Sequence, residues 1–353
     1  MRKKSVLQGF CTPGQGLIKG LMPAICLATL VAPIQAPAAE AEGLVYQADI
    51  RGPAPIPASE RGLQAVVAKP WLRVSDEGPV LEGAIFDTAG DLLFCDVSGR
   101  RVLRATAEKQ LSTLVTLDGL SPGGLALHAD GRVFIAALNV PAHKGAIFAV
   151  KADGSGLETV IAPEAGYMPN DLVFDAQGGF YFSDFKGTST RPDGGIYYVS
   201  ADGASIEPVL PNLAKANGVT LSPDGGTLWA TELSGGRLHR VQLADATTIA
   251  PIGSAIPYHF IGWKPDSMRA DADGNVYVAI SGQGRILAFN PNGIPIGQIL
   301  LPGRDEGHNL KSTSLAISPG SNDLYSVSSD EDGGEGANIF HAKVFANGLP
   351  AVK

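Results

Sequence analysis

Four oxygen-bearing side chains recur at one fixed place in a repeated pattern of this sequence. Counting back eight residues from six tight turns, at Gly90, Gly131, Gly178, Gly225, Gly274 and Ser321, lands on Glu82, Gly123, Asn170, Asn217, Asp266 and Thr313. Four of these carry carboxylate or amide oxygens, in the settings Leu81-Glu82-Gly83, Pro169-Asn170-Asp171, Ala216-Asn217-Gly218 and Pro265-Asp266-Ser267. An isolated acid beside an apolar run is costly to bury unless it is paired or holds a metal. Two carboxylates and two amide carbonyls, with no sulfur or imidazole, form a hard donor set suited to Ca²⁺, with Mg²⁺, Mn²⁺ or Zn²⁺ in its place. Taken singly, each residue is an ordinary turn former. Their convergence on one repeat position is what points to a site.

The elements that would position them are set by the repeat. An apolar segment, a Gly- or Asp-containing turn and a β-branched or aromatic run recur as Ile85–Val97, Leu127–Leu138, Val173–Phe185, Leu221–Leu233, Ala270–Ile280 and Ile317–Val327. The turns are 41 to 49 residues apart. Another strand follows most of them, several closed by a second turn such as Ala152-Asp153-Gly154. Three to four short strands per unit, repeated six times, predict an all-β six-bladed β-propeller, in which equivalent positions of successive blades ring a central channel. That ring would make the four oxygens a central metal site. The 44 glycines and 25 prolines among 353 residues fit many tight turns, and no helical apolar period is sustained. The expected organisation is a leader over 1–39, a segment over 40–79 that closes the ring, and six blades over 80–353.

The leader has the layout of a secretory signal. Arg2, Lys3 and Lys4 open it, Leu21 to Val31 is apolar, and Ala36-Pro37-Ala38-Ala39 ends it in small residues. The apolar run is short for a membrane span. Export to the periplasm or beyond is expected, with no stable span after cleavage. Cys11 and Cys26 lie in the leader, so the mature chain keeps Cys95 alone, an expected buried and inert thiol. The net charge of -8 repels phosphate backbones and argues against nucleic acid as a partner.

Other chemistries lack support. Asp271-Ala272-Asp273-Gly274-Asn275 resembles the start of a helix-flanked calcium loop, but its Gly is misplaced and no Glu stands at the twelfth position. No Walker loop, H-E-x-x-H or G-x-S-x-G elbow occurs. Phe185, Lys186 and Arg304 fall in loops from which they could orient a substrate. Glu232 either supports the site or pairs with Arg237, and His308 is expected to be hydrogen-bonded or surface-exposed.

The residues also carry a family resemblance. Pro70-Trp71-Leu72, Leu81-Glu82-Gly83, Gly178 to Phe182, Gly194 to Ser200, Ala216-Asn217-Gly218, Pro265-Asp266-Ser267, Pro295 to Leu300 and Gly303 to His308 resemble the senescence marker protein/gluconolactonase/luciferin-regenerating enzyme family of six-bladed propellers. The likeness runs from about Tyr46 to Asn347 and is nearest to the calcium-dependent lactonases of staphylococci within that family. It implies hydrolysis of a small-molecule lactone with a divalent metal in the channel. It assigns metal positions to Glu82, Asn170, Asn217, Asp266 and Ser267, and the catalytic proton donor to Asp266. Two departures stand out: the staphylococcal lactonases carry Asp where Asn170 stands, and Val160-Ile161-Ala162-Pro163 lacks the acid of their second calcium site.

The expected chemistry is therefore a metal that polarises the lactone carbonyl, with Asp266 as general acid and base. A non-enzymatic exported binding propeller with a structural metal, and a phosphotriesterase or aryl esterase, are the competing readings, because fold alone decides neither.

Overall fold

A computed structural model describes residue 46 and residues 48–350, apart from 263 and 331–332; the leader over 1–39 lies outside the described residues. Apart from one helical turn at Ala48–Arg51 and short 3-10 turns, the described residues are all strand and connection. After β1 (Gln64–Val67) and β2 (Lys69–Ser75), strands follow in five groups of four and a last group of three. They are β3 (Leu81–Phe86), β4 (Leu92–Asp96), β5 (Arg101–Ala105) and β6 (Leu111–Thr116); β7 (Ser121–Leu127), β8 (Val133–Asn139), β9 (Lys144–Val150) and β10 (Glu158–Ile161). Then come β11 (Pro169–Phe174), β12 (Phe180–Asp184), β13 (Gly194–Val199) and β14 (Ile206–Leu213); β15 (Ala216–Leu221), β16 (Thr227–Glu232), β17 (Arg237–Leu243) and β18 (Ile249–His259). The last are β19 (Lys264–Ala270), β20 (Val276–Ser281), β21 (Arg285–Phe289) and β22 (Pro295–Leu300), with β23 (Lys311–Ile317), β24 (Asp323–Asp330) and β25 (Gly336–Lys343).

The first four groups are separate four-stranded antiparallel sheets. The remainder forms one nine-stranded sheet, because Ser281 of β20 pairs with Lys311 of β23. Within it, β2 is the outer partner of β25, and β1 adds a parallel edge to β22. The lead strands touch in succession, β3 to β7, β11, β15, β19 and β23, and β23 returns to β3. This cyclic order is a propeller-like architecture.

The core follows from that circle. Apolar clusters fill the gaps between neighbouring groups, such as Cys95 and Val102 with Leu125 and Ile135, or Trp229 and Leu238 with Met268 and Val278. One cluster joins Leu81 and Phe94 to Val327 and Ile339, closing the circle. Second strands such as β4 and β12 are buried along their whole length, with near-continuous apolar runs, because sheets cover both faces. Fourth strands such as β6 face solvent. The turns work as their composition dictates. Asp87 accepts N–H bonds from Ala89 and Asp91, Asp175 does so from Gln177 and Gly179, and the glycine between takes positive φ in both.

Asp271 is one of these turn carboxylates. It accepts from the N–H groups of Asp273 and Asn275 and from Tyr277 Oη, all within 3.0 Å. Its calcium-loop appearance is a by-product of turn chemistry. Cys95 is fully buried, and burial pushes its thiol well above the ordinary range. The segment before β1 is pinned by charge: Glu60, Arg285, Tyr258 and Gln298 form a buried network, and Arg304 donates to Ala54 O. Arg304 is thus a buried structural cation rather than a loop residue free to meet substrate. Its Nε also bonds Gln283 O at 3.0 Å.

Candidate metal centre

Each lead strand breaks register with its neighbour near its start. The irregularities fall between Glu82 and Ile85, Pro122 and Leu125, Pro169 and Leu172, Ala216 and Val219, Pro265 and Met268, and Ser312 and Ser314. A bulge frees backbone groups from the ladder and re-aims side chains. Glu82, Asn170, Asn217, Asp266 and Ser267 all lie in these segments, as do Gly123 and Thr313.

Hydroxyls on second strands hold the bulges in place. Ser183 accepts the N–H of Asp171 at 2.9 Å and donates to Asn217 O on the next lead strand. Thr231 repeats this one group later, accepting from Gly218 N at 2.7 Å and donating to Asp266 O at 2.8 Å. Gly123 and Gly124 supply closeness rather than ligands. A Cβ on Gly124 would stand 2.4 Å from Asp171 Oδ1 and 2.8 Å from Asn170 O.

Asn217 and Asp266 are nearly fully buried, at 2% and 5% exposure, whereas Glu82 and Asn170 are half-buried. Burial raises the Asp266 pKa to about 7; hydrogen bonds from the Asn217 side chain and the Ser267 N–H oppose this, while the Asp171 charge adds to it. Burial, then the charges of Asp266 and Asp171, pushes Glu82 well above the usual carboxylate range, and Arg269 opposes them. Acids that repel each other in a buried setting hold protons until a cation replaces them. Asn217 Oδ1 and Asp266 Oδ1 are buried with no hydrogen-bond partner. Orphaned acceptors of this kind demand an explanation such as an ion. Among the described residues no three His, Cys, Asp or Glu side chains stand close enough to hold a metal. The amides are therefore needed to complete the donor set. The pairing of carboxylate and amide oxygens fits a hard divalent cation.

One participant was missing from the sequence reading. Asp171, wholly buried beside Asn170, pairs with Arg269 Nη1 of β19 at 3.0 Å. Arg269 also reaches Ala84 O of β3 at 3.4 Å. This cation crosses between three lead strands directly behind the ring. Beyond it lies an apolar hollow of 260 Å³, lined by all six lead strands, including Leu125, Leu172 and Val219. The signal available in sequence was an Asp and an Arg embedded in otherwise apolar strands.

The secondary candidates divide. Glu232 binds His239 Nε2 at 2.9 Å, Arg237 at 3.3 Å and the N–H of Ala214 at 3.0 Å, which makes it a local brace. His308 Nδ1 lies 3.0 Å from Asp330. Phe185 and Lys186 line a pocket of 740 Å³ with Met168 and Lys215.

The chain is similar in sequence and in fold to known proteins. Residues 80–328 match the SMP-30/Gluconolactonase/LRE-like region. The chain is 46% identical over 309 residues to a protein named Lactonase drp35 from Staphylococcus saprophyticus, covering 86% of this chain and 95% of that one. The Staphylococcus aureus USA300 protein of the same name is 44% identical, with coverage of 82% and 91%. Among solved structures, the calcium-binding protein regucalcin from Agrobacterium tumefaciens superposes with a TM-score of 0.66 at 22% identity, over 82% of this chain and 99% of that one. A gluconolactonase from Xanthomonas campestris gives 0.64 at 20% identity, over 86% and 98%. The matched span and the high identity to the staphylococcal proteins place this chain in the SMP-30/gluconolactonase/LRE-like family.

Proposed function

We propose that the chain is a six-bladed propeller lactonase whose channel mouth holds a divalent ion, Ca²⁺ first, on Glu82, Asn170, Asn217 and Asp266, with Ser267 supporting. The blade count is supported by the circle of six lead strands. The reaction class is supported by the identity to proteins named lactonases over nearly all of the described chain. The observation that carries the ion is the pair of buried, unpartnered oxygens, Asn217 Oδ1 and Asp266 Oδ1.

A bound divalent ion supplies Lewis-acid polarisation of an ester carbonyl. The rest falls to the chain. Asp266, ionised once the ion has displaced its proton, would take a proton from water and return it to the ring oxygen. Water oxygen bonds to the acyl carbon, the acyl–oxygen bond breaks, and the proton on Asp266 passes to the leaving alkoxide, giving a hydroxy acid. The Asn217 side chain and the Ser267 N–H both favour the charged form of Asp266.

Chelation with EDTA should abolish lactone hydrolysis, and Ca²⁺ should restore it. The ion's effect on melting carries a sign that can be checked. In the folded chain Asp266 titrates near 7, against about 3.9 for an unperturbed Asp. The folded form then binds more protons than the unfolded one, so ion-free stability falls as pH rises from about 4 to 7. An ion that competes with those protons stabilises by about 2.7 kcal/mol at pH 7 at a hundredfold excess over Kd, and the same ion concentration stabilises less at pH 5. Hydrolysis unaffected by EDTA would remove the metal from the mechanism. Turnover of a phosphotriester, with no lactone accepted, would favour the rival esterase reading.

We further propose that the protein acts after export, on the strength of the leader's basic opening, apolar run and small-residue end. Expressed from its full gene in a Gram-negative host, it should appear in the periplasmic or medium fraction, shortened at its N-terminus. Retention of the whole chain in the cytoplasm would refute this.

A further inference from the structure

The pocket beside the ring carries a charge opposite to that of the molecule. Its wall includes Lys186, Arg191 and Lys215, faced by Asp193, over Met168 and Phe185. The whole chain has a net charge of -8. Lys186 is already engaged, with Nζ 3.5 Å from the buried Asp184 and 5.5 Å from the centre of the Tyr167 ring. Neither Arg191 nor Lys215 has a carboxylate in ion-pair range among the described residues, and the Lys215 ammonium rests 5.1 Å over the Phe185 ring. With Asp193 counted against these two cations, one positive charge is left over.

The cations are set by built structure. Lys215 takes φ +58; its N–H donates to Lys186 O at 2.7 Å, and its carbonyl accepts from Leu233 N at 3.0 Å. Arg191 sits on a tight loop closed by reciprocal backbone bonds with Thr188, at 2.9 and 3.0 Å. Met168 is tied by its N–H to Asp184 at 2.8 Å. Met168 and Lys215 each stand two residues ahead of a proposed metal position, Asn170 and Asn217. That adjacency along the chain puts the pocket next to the candidate metal positions. A lactone held at the ring would place a substituent there.

Resting on the lactonase reading above, we infer that the preferred substrate is a lactone bearing a carboxylate, received by Lys215 and Arg191. One surplus positive charge matches a monoanion, and the pocket volume suits a small ligand. Charge-assisted bonds to a carboxylate are the stronger class of hydrogen bond and discriminate against a neutral group left in their place.

The test compares two γ-lactones, one with a carboxylate on the carbon next to the ring oxygen and one with a carboxamide there. The intact protein with Ca²⁺ should prefer the acid by roughly tenfold or more in kcat/KM, chiefly through KM. Lys215→Gln and Arg191→Gln should each cut that preference roughly tenfold, whereas Lys151→Gln, which removes an exposed cation outside this pocket, should not. Equal use of both lactones by the parent protein, or an equal fall in the Lys151 variant, would overturn the proposal. Should neither lactone be hydrolysed, the lactonase reading fails by itself. Calorimetry with tetrahydrofuran-2-carboxylate then decides the pocket: binding weakened by Lys215→Gln upholds it, and absence of binding overturns it.

Discussion

Replacing Asp266 with Asn is expected to lower lactone turnover by about 10²–10⁴-fold, the range that a positioned acid or base contributes. The variant keeps the shape of the side chain and a carbonyl oxygen, but it cannot take a proton at neutral pH. The loss should appear in kcat. Stability should move the other way. Asp266 is buried with its pKa raised to about 7, so at pH 7 and without metal its charge opposes folding. A neutral amide removes that penalty. Metal-free Asp266→Asn should therefore unfold at an equal or higher urea concentration than the parent at pH 7, with a flatter stability profile between pH 4 and 7. Unchanged turnover in the folded variant would end the assignment of Asp266 as proton carrier. Lost turnover together with a collapsed fold would leave Asp266 a structural residue.

The ring positions were legible because the blade turn and the lead strand before it are one rigid unit. Asp-anchored turns at Asp87, Asp175 and Asp271 fix where those hairpins begin, and a count of eight residues back from each turn glycine reaches the register break or its edge. What the count cannot convey is the bulge itself. In a regular strand Asn170 and Asp171 would face opposite sides of the sheet, and Asp171 reads as mere context. The break in register between Pro169 and Leu172 relaxes that alternation, and Asp171 is buried against Arg269, 98 residues away. Arg304 was misread for a related reason. Its partner, Ala54, is 250 residues distant, and nothing local distinguishes a loop cation under a covering segment from one in water. Glu60 and Arg285 show the same dependence on remote pairing. The parallel addition of β1 to β22 is likewise invisible to a pattern built on hairpins.

The pair behind the ring leads to the second large effect. Arg269→Met should cost about 3–5 kcal/mol, the usual loss when one partner of a buried ion pair is removed. Asp171 is wholly buried, and its other side-chain contacts are weak compensation: the N–H of Leu172 at 3.0 Å and that of Val219 at 3.4 Å. Burial already raises the Asp171 pKa, and Arg269 opposes the rise. Without Arg269 the folded-state pKa climbs further, so the added destabilisation must grow with pH above the ordinary carboxylate range and shrink as pH falls toward it. Urea unfolding at pH 7 and pH 4.5 measures both. The double variant Asp171→Asn/Arg269→Met separates charge from packing, because it removes the stranded acid while keeping a long apolar stem in place of the guanidinium. It should recover most of the loss at pH 7. If it is no more stable than Arg269→Met, the pair holds the channel by shape alone. A single-variant loss below about 1 kcal/mol would instead mean that water reaches Asp171, since only exposed pairs are that cheap to break.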